Sequence, residues 1–231
     1  MISAIILAGG KGKRMGSAIS KQFIDIKGKP IIYYTLKKFS ENKKIDNIIV
    51  VLPEDEVKYF KENILKKYEL RINKIVIGGK ERQDSVYNAL KSLKNSSTDI
   101  VLIHDGARPF ISERIINEGI KFAEIYGAAA PGVMPKDTIK VKNEKNFSVD
   151  TPNRANLVSI QTPQVFKSED IKVAYQKAKD EGYVATDDSQ LFERYIDKDI
   201  KAVLGDYSNL KITTQEDLKW KVSILEKRKR V

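Results

Sequence analysis

A glycine-rich run near the start of the chain, Leu7-Ala8-Gly9-Gly10-Lys11-Gly12-Lys13-Arg14-Met15-Gly16, is followed closely by Lys21. Glycines at 9, 10 and 12 let the backbone approach a ligand closely, and their N–H groups can form an anion-binding nest. Arg14 and Lys21 add a guanidinium and an ammonium. A triphosphate suits such a loop: backbone donors hold its oxygens while the cations offset charge developing on the α-phosphate and the leaving pyrophosphate. A tight strand-to-helix turn with solvated lysines would use the same residues. Two other phosphate motifs fail. The dinucleotide fingerprint needs glycine at position 15, where Met15 stands. A Walker A loop needs Ser or Thr after Gly-Lys, but Gly12 follows Lys11 and Pro30 follows Lys29.

A second constellation is His104-Asp105-Gly106-Ala107-Arg108-Pro109. Asp105 could hold a Mg²⁺ ion or a ligand hydroxyl, and Arg108 could meet a phosphate, although an Asp at a strand end is also a common turn former. His104 reads as a packed or hydrogen-bonded residue rather than a catalyst. Third, Gly78-Gly79-Lys80-Glu81-Arg82-Gln83-Asp84-Ser85 runs into a helix, and its backbone could read a base edge or simply turn and cap. Arg154, Thr162 and Lys211 are individually unremarkable.

Elements must bring these residues together. Ser3–Leu7, Asn47–Leu52, Asn73–Ile77 and Asp99–Ile103 read as strands. Between them lie helical patterns: one opened by Pro30 and running to Phe39, a charged one over Glu54–Tyr68, and one over Gln83–Leu93. Ile116, Ile120 and Ala123 mark another. Apolar strands without polar alternation, separated by helices, imply an α/β fold, a mostly parallel sheet covered on both faces. Right-handed crossovers put the glycine loop and Asp105 at the carboxyl edge of that sheet, where ligands bind. Residues 136–153 alternate polar and β-branched types around a turn at Asn143–Asn146, as a projecting β-hairpin would. Such an arm exposes two edges and invites a dimer partner. Beyond it, Ser168 caps a helix stopped by Gly182, a short helix follows Thr186, and Lys201–Leu204 is a late strand. Thr213 to Glu216 reads as a capping box for a last helix ending in the basic tail KRKR.

The 231 residues suit a single domain, 1–231, and the 41% apolar content supports a core. Cysteine is absent and histidine single, which excludes disulfides, thiolate chemistry and a multi-His metal centre. The N-terminal apolar run, Ile2–Gly10, is far shorter than the ~20 residues of a membrane span and lacks a basic segment before it. A soluble cytoplasmic protein is the expectation. Lys plus Arg exceed Asp plus Glu, 42 to 31, giving +11. That favours polyanionic partners without choosing among them, and a biased base composition would produce the same lysine excess.

Taken together, the residues resemble a known family. LAGGKGKRMG with KQF resembles nucleotidyltransferases that join a nucleoside monophosphate to a sugar or polyol phosphate. GGKERQDSV, HDGARP, TPNRANLVSIQTPQVF, ATDDSQLFE and NLKITTQEDL narrow the resemblance to the 2-C-methyl-D-erythritol 4-phosphate cytidylyltransferases, from Ile2 to about Leu218. The resemblance implies a Rossmann-like fold, Mg²⁺ dependence, CTP as donor, methylerythritol phosphate as acceptor, and a homodimer made through the β-arm. It implies that Arg14 and Lys21 stabilise the transition state and that Arg154 and Lys211 position the acceptor. It implies a CTP site of Leu7, Ala8, Gly9, Gly10, Gly12, Gly79, Ser85, Asp105 and Gly106, with Ala8, Gly9, Gly79 and Ser85 on the cytosine. Asp105, Arg108, Thr138, Arg154, Thr162 and Lys211 would line the acceptor pocket, Thr138 and Arg154 reaching in from the partner's arm. The metal ligands stay unassigned, with Asp105 the one candidate.

The family commonly has proline where Ser20 stands, a change expected to loosen the loop while leaving the lysine in place. Ribitol-5-phosphate cytidylyltransferases share the loop and QTPQ, but Thr151–Asn156 fits the methylerythritol group better. A non-catalytic phosphate or nucleic-acid binding module is the remaining alternative, suggested by the charge and the KRKR tail. Against it, Tyr33, Tyr34, Phe39, Tyr59 and Phe60 fall mostly in helices rather than on a sheet face beside basic residues.

Overall fold

The computed structural model describes residues 1–10, 20–93, 97–214 and 216–217. In chain order the strands are β1 (Ile2–Leu7), β2 (Asp25–Ile26), β3 (Lys29–Pro30), β4 (Asn47–Leu52), β5 (Lys74–Ile77), β6 (Ile100–Asp105), β7 (Ala128–Val133), β8 (Val141–Lys142), β9 (Ser148–Asp150), β10 (Ser159–Ile160), β11 (Gln164–Lys167) and β12 (Lys201–Leu204). The α-helices are α1 (Ile31–Glu41), α2 (Glu54–Phe60), α3 (Arg82–Lys91), α4 (Glu113–Tyr126), α5 (Ser168–Asp180) and α6 (Asp188–Ile196).

The main sheet runs β10-β7-β11-β6-β1-β4-β5, with β12 on β7. β1 pairs in parallel with β4 and β6, and β4 with β5. β11 is antiparallel to both β6 and β7, and β10 antiparallel to β7. The expected mostly parallel α/β sheet is therefore present. Along β1, Ala4 and Ile6 enter one core with Leu36, Phe39, Val50, Leu102 and Ile116. Ile5 points the other way, into a core with Ile49, Val86, Val101, Phe166 and Phe192. Both faces are dry, which is why the strands read as unbroken apolar runs.

Strands β7, β10 and β11 were not expected from the sequence. AAAPGV is poor in β-branched residues, and the other two are short; pairing with their neighbours decides them. Residues 54–68 do not make one α-helix: α2 ends at Phe60 and continues as a π turn over Lys61–Leu65, burying Phe60 and Ile64. Ser168 does not cap α5. It is the helix's first residue after Lys167, and its amide donates to the Asp99 carbonyl at 2.8 Å. The capping box lies one residue later than expected. Thr214 Oγ1 accepts from the Asp217 amide at 3.2 Å, while the Asp217 carboxylate accepts from the Thr214 amide at 3.0 Å. Beyond Asp217 the final helix, with KRKR, lies outside the described residues.

The segment 136–153 carries a separate exposed hairpin, β8 against β9, turned at Asn143–Asn146 as expected. Among the described residues no helix is long and apolar enough to cross a membrane.

Candidate functional site

The register of the central strands sets two of the motifs side by side. Leu7, the last residue of β1, pairs with Asp105, the last of β6, and the Gly106 amide donates to the Leu7 carbonyl at 2.8 Å. β4 and β5 end on the same edge, so the Gly78–Glu81 turn enters α3 beside them. A cavity of about 290 Å³ opens there, bounded by Leu7 to Gly10, by Gly79 to Arg82 with Ser85, and by Asp105, Lys21 and Lys211.

Lys21 folds back over the glycine loop: its Cε lies 3.3 Å from where a Cβ on Gly10 would stand. The loop's return is pinned by Gln22, whose side-chain amide donates to the Ala8 carbonyl and to Glu56, both at 2.6 Å. Ser20 donates its hydroxyl to the Glu56 carboxylate, so the residue expected to loosen the loop ties it to α2. Arg14 and Gly12 lie outside the described residues.

Asp105 is the electrostatic centre of the pocket. Lys211 Nζ lies 3.0 Å from Asp105 Oδ2, Arg108 Nε 3.5 Å from the same oxygen, and Arg82 Nε 3.8 Å from Oδ1. Burial pushes the carboxyl's pKa up, but Lys211, Arg82 and Arg108 overcome it and hold the carboxyl well below the ordinary carboxylate range. Asp105 is thus ionised at any working pH. Lys211 reaches it from a segment that returns across the sheet edge, anchored by the Ile212 amide on the Ala107 carbonyl at 2.9 Å and by the buried Ile212 side chain.

Thr162 and Arg108 sit behind this surface rather than on the cavity wall. The Thr162 oxygen accepts from the Asp105 amide at 3.1 Å and contacts His104 Nδ1 at 3.0 Å. Arg108 donates to the Asn209 carbonyl at 2.8 Å. His104 is fully buried against Phe39, and burial lowers its pKa to about 4, so it is neutral and packed as read from the sequence. Gly79 and Ser85 are engaged with each other: the Gly79 amide donates to Ser85 Oγ at 3.0 Å, and that hydroxyl reaches the Glu81 carbonyl. Thr138 and Arg154 are exposed on the arm, away from the cavity wall of their own chain. Arg154 donates to the Lys136 carbonyl at 2.7 Å, within the base of the arm.

Arg82 and its partner Asp188 escaped sequence reasoning. Arg82 grips the fully buried Asp188 through two bonds, at 2.8 and 2.6 Å, and Tyr175 donates its hydroxyl to the same carboxylate. A signal existed in the consecutive acids at the start of α6. One cap suffices for a helix, and Asp187 provides it by accepting from the Gln190 amide at 2.9 Å. The second acid needed another role.

A divalent cation fits the donor set in a limited way. Among the described residues no three His, Cys, Asp or Glu side chains gather into a metal cage. Asp105 and Glu81 are the carboxylates at the cavity. Mg²⁺ habitually takes one or two carboxylates plus substrate phosphates and water, so a triphosphate would complete such a site.

A pocket with cations around one carboxylate beside a glycine loop can bring two phosphorylated molecules together. Comparison with known proteins agrees with the type of fold. Residues 2–227 match the family model described as "IspD: 2-C-methyl-D-erythritol 4-phosphate cytidylyltransferase". The chain is 60% identical over 217 residues to the 2-C-methyl-D-erythritol 4-phosphate cytidylyltransferase of Clostridium perfringens strain SM101, covering 94% of this chain and 95% of that one. It is 55% identical over 218 residues to the protein of that name from Clostridium botulinum strain Eklund 17B, covering 94% and 96%. Among solved structures, the 4-diphosphocytidyl-2C-methyl-D-erythritolsynthase of Anaerococcus prevotii superposes with a TM-score of 0.86 at 38% identity, covering 97% and 98% of the two chains. Matched in sequence nearly end to end and in the course of its backbone, this chain belongs to the 2-C-methyl-D-erythritol 4-phosphate cytidylyltransferase family.

Proposed function

We propose that the protein transfers CMP from CTP to the phosphate of 2-C-methyl-D-erythritol 4-phosphate, releasing pyrophosphate, in isoprenoid precursor biosynthesis. The observation that carries this reading is that Lys211 and Lys21 line one cavity, the first paired to Asp105 and the second over the glycine loop. An acceptor phosphate oxygen attacks the α-phosphorus of CTP. A new P–O bond forms as the bond to the oxygen bridging to the β-phosphorus breaks. The nucleophile is already anionic, so no Ser, Cys or His nucleophile is needed. Two anions must instead be held in line.

The backbone from Leu7 to Gly10, with Gly12 and Gly106, receives the triphosphate, and Ala8, Gly9, Gly79 and Ser85 face the base. Lys21 and Arg14 stabilise the charge that builds on the transferring and leaving groups. Lys211, ordered by Asp105, orients the acceptor phosphate. Arg108 and Thr162 act on the acceptor side through the Asp105 turn. Mg²⁺, when bound, supplies charge neutralisation across the triphosphate, and Asp105 would hold it together with phosphate oxygens.

Thr138 and Arg154 serve the acceptor site of a second copy, which makes the working unit a homodimer joined through the arm. Exposed apolar side chains on the arm, Phe147 at 67% and Val149 at 60%, support that pairing. Neither nucleic acid nor a membrane is a partner in this reading, and the enzyme works in the cytoplasm.

A mass-spectrometric product assay tests the reading. Protein, Mg²⁺ and CTP are offered methylerythritol 4-phosphate or ribitol 5-phosphate, with ATP, GTP and UTP as donor controls and an EDTA arm. A CDP-methylerythritol product, lost with EDTA and little formed from ribitol 5-phosphate, is expected. A CDP-ribitol product would reassign the acceptor. CTP binding without turnover of either acceptor would overturn the catalytic reading.

A further inference from the structure

Arg82 stands where three parts of the fold meet at the cavity. It is the first residue of α3, just after the Gly78–Glu81 turn. Both terminal nitrogens of its guanidinium are committed to Asp188, the first residue of α6, at 2.8 and 2.6 Å. Its Nε edge is turned to Asp105 on β6, 3.8 Å away. Asp188 is completely buried, and its Oδ1, which accepts from Arg82, also accepts from the hydroxyl of Tyr175, itself 1% exposed, on α5.

This is an expensive arrangement for a mere structural clamp. A buried ion pair seldom stabilises more than well-packed apolar residues of the same volume. Here the pair has a fork geometry that lysine cannot reproduce, and a third bond that fixes the carboxylate. Arg82 also lines the cavity, with a third of its side chain exposed. The fork formed by its two terminal nitrogens is spent on Asp188, so it is not free to grip a phosphate by the same fork. What it offers the cavity is a fixed cationic edge against Asp105 and a fixed start for the turn carrying Gly79.

We propose that Arg82, locked by Asp188 and Tyr175, is a positioning residue that holds the Gly78–Glu81 turn in register on the nucleotide side of the cavity, while Asp105 keeps its closer partners Lys211 and Arg108 on the acceptor side. The proposal rests on the reading of that cavity as the CTP site. Its consequence is a split in kinetic parameters: the donor nucleotide feels Arg82 more than the acceptor does.

The test is steady-state kinetics of Arg82→Lys, Tyr175→Phe and the neutral pair Arg82→Gln with Asp188→Asn, beside the wild type. Far-UV circular dichroism and thermal melts accompany each. Arg82→Lys keeps the charge and loses the fork. Its KM for CTP is expected to rise about tenfold or more, the scale of a small misplacement at a reacting centre. The acceptor KM should stay within about twofold. Tyr175→Phe keeps the packed ring and should show a smaller change in the same direction. The neutral pair should recover the melting temperature through an amide–amide contact without recovering the CTP KM. Recovery of both would make the cluster purely structural and overturn the proposal, as would Arg82→Lys with wild-type CTP kinetics. Should Arg82→Lys not fold, the neutral pair and Tyr175→Phe decide by the same criterion. A wild-type protein without cytidylyl transfer would instead strike the functional reading, and direct CTP titration of the variants would then still report on Arg82.

Discussion

The Nε2 atom of His104 lies 3.2 Å from the carbonyl oxygen of Arg108, and this contact fixes the tautomer of the chain's single histidine. A carbonyl oxygen only accepts, so Nε2 carries the proton and Nδ1 must accept. Nδ1 receives the Thr162 hydroxyl at 3.0 Å, and the Thr162 oxygen receives the Asp105 amide at 3.1 Å. One directional chain of bonds thus closes the turn from 104 to 108, which carries both Asp105 and Arg108.

That chain makes stability depend on pH in a defined window. Burial lowers the His104 pKa from 6.5 to about 4. Between those values the unfolded chain takes up a proton that the folded chain refuses. Stability is therefore fully present above pH 6.5 and declines as pH falls to about 4, by about 3 kcal/mol from this residue. Urea unfolding at pH 7, 5.5 and 4 measures the slope, and His104→Gln should remove this share of it. Equal slopes in both proteins would refute the assignment.

Lys21→Ala should lower kcat by more than ~10²-fold, the scale of losing one transition-state donor. The fold should survive, because the loop's return is pinned by Gln22 and Ser20. Single-turnover kinetics with a matched circular dichroism spectrum checks this. A folded variant with near-normal turnover would remove Lys21 from the chemistry.

Gly79 is required for close approach rather than for an unusual dihedral angle. A Cβ there would stand 2.2 Å from the Asp84 Cβ and 3.1 Å from the Asp84 carbonyl carbon. Asp84 cannot yield easily, because its carboxylate accepts from the Glu81 amide in the capping box of α3. Gly79→Ala should cost about 1–3 kcal/mol of stability and weaken CTP binding by displacing the turn. Calorimetric titration with CTP, beside a melt, reads both; wild-type values in both would show that the turn accommodates the methyl group.

Phe147, just before β9, and Val149, within it, are both exposed on the arm. Replacing both with Asp should convert a dimer to a monomer in sedimentation velocity. Turnover should fall at least tenfold if Thr138 and Arg154 serve the partner's site, given what mispositioning an acceptor costs. An unchanged sedimentation coefficient would remove the arm from assembly, and a fully active monomer would return the acceptor site to one chain.

Strands such as NIIVVL and DIVLI were legible because a strand buried on both faces has no polar alternation to confuse it. β1 and β6 ending together then followed from parallel pairing, which is why the glycine loop and Asp105 could be put on one edge in advance. β7 was not legible, since Ala, Pro and Gly have little strand preference of their own and become a strand by lying between β11 and β12. The capping box was read one position early because Thr213 and Thr214 offer the same hydroxyl, and only the position of the Asp217 carboxylate separates them.

By itself, then, the sequence determined the α/β class and the exclusion of thiol and multi-His mechanisms, since these depend on residue type and local period. The tertiary structure decided which charges meet. Arg82 and Asp188 are 106 positions apart, and Lys211 reaches Asp105 across a comparable gap. No local pattern encodes such contacts, because they exist only once β6, α3 and α6 are packed and burial has removed the water that would otherwise screen them.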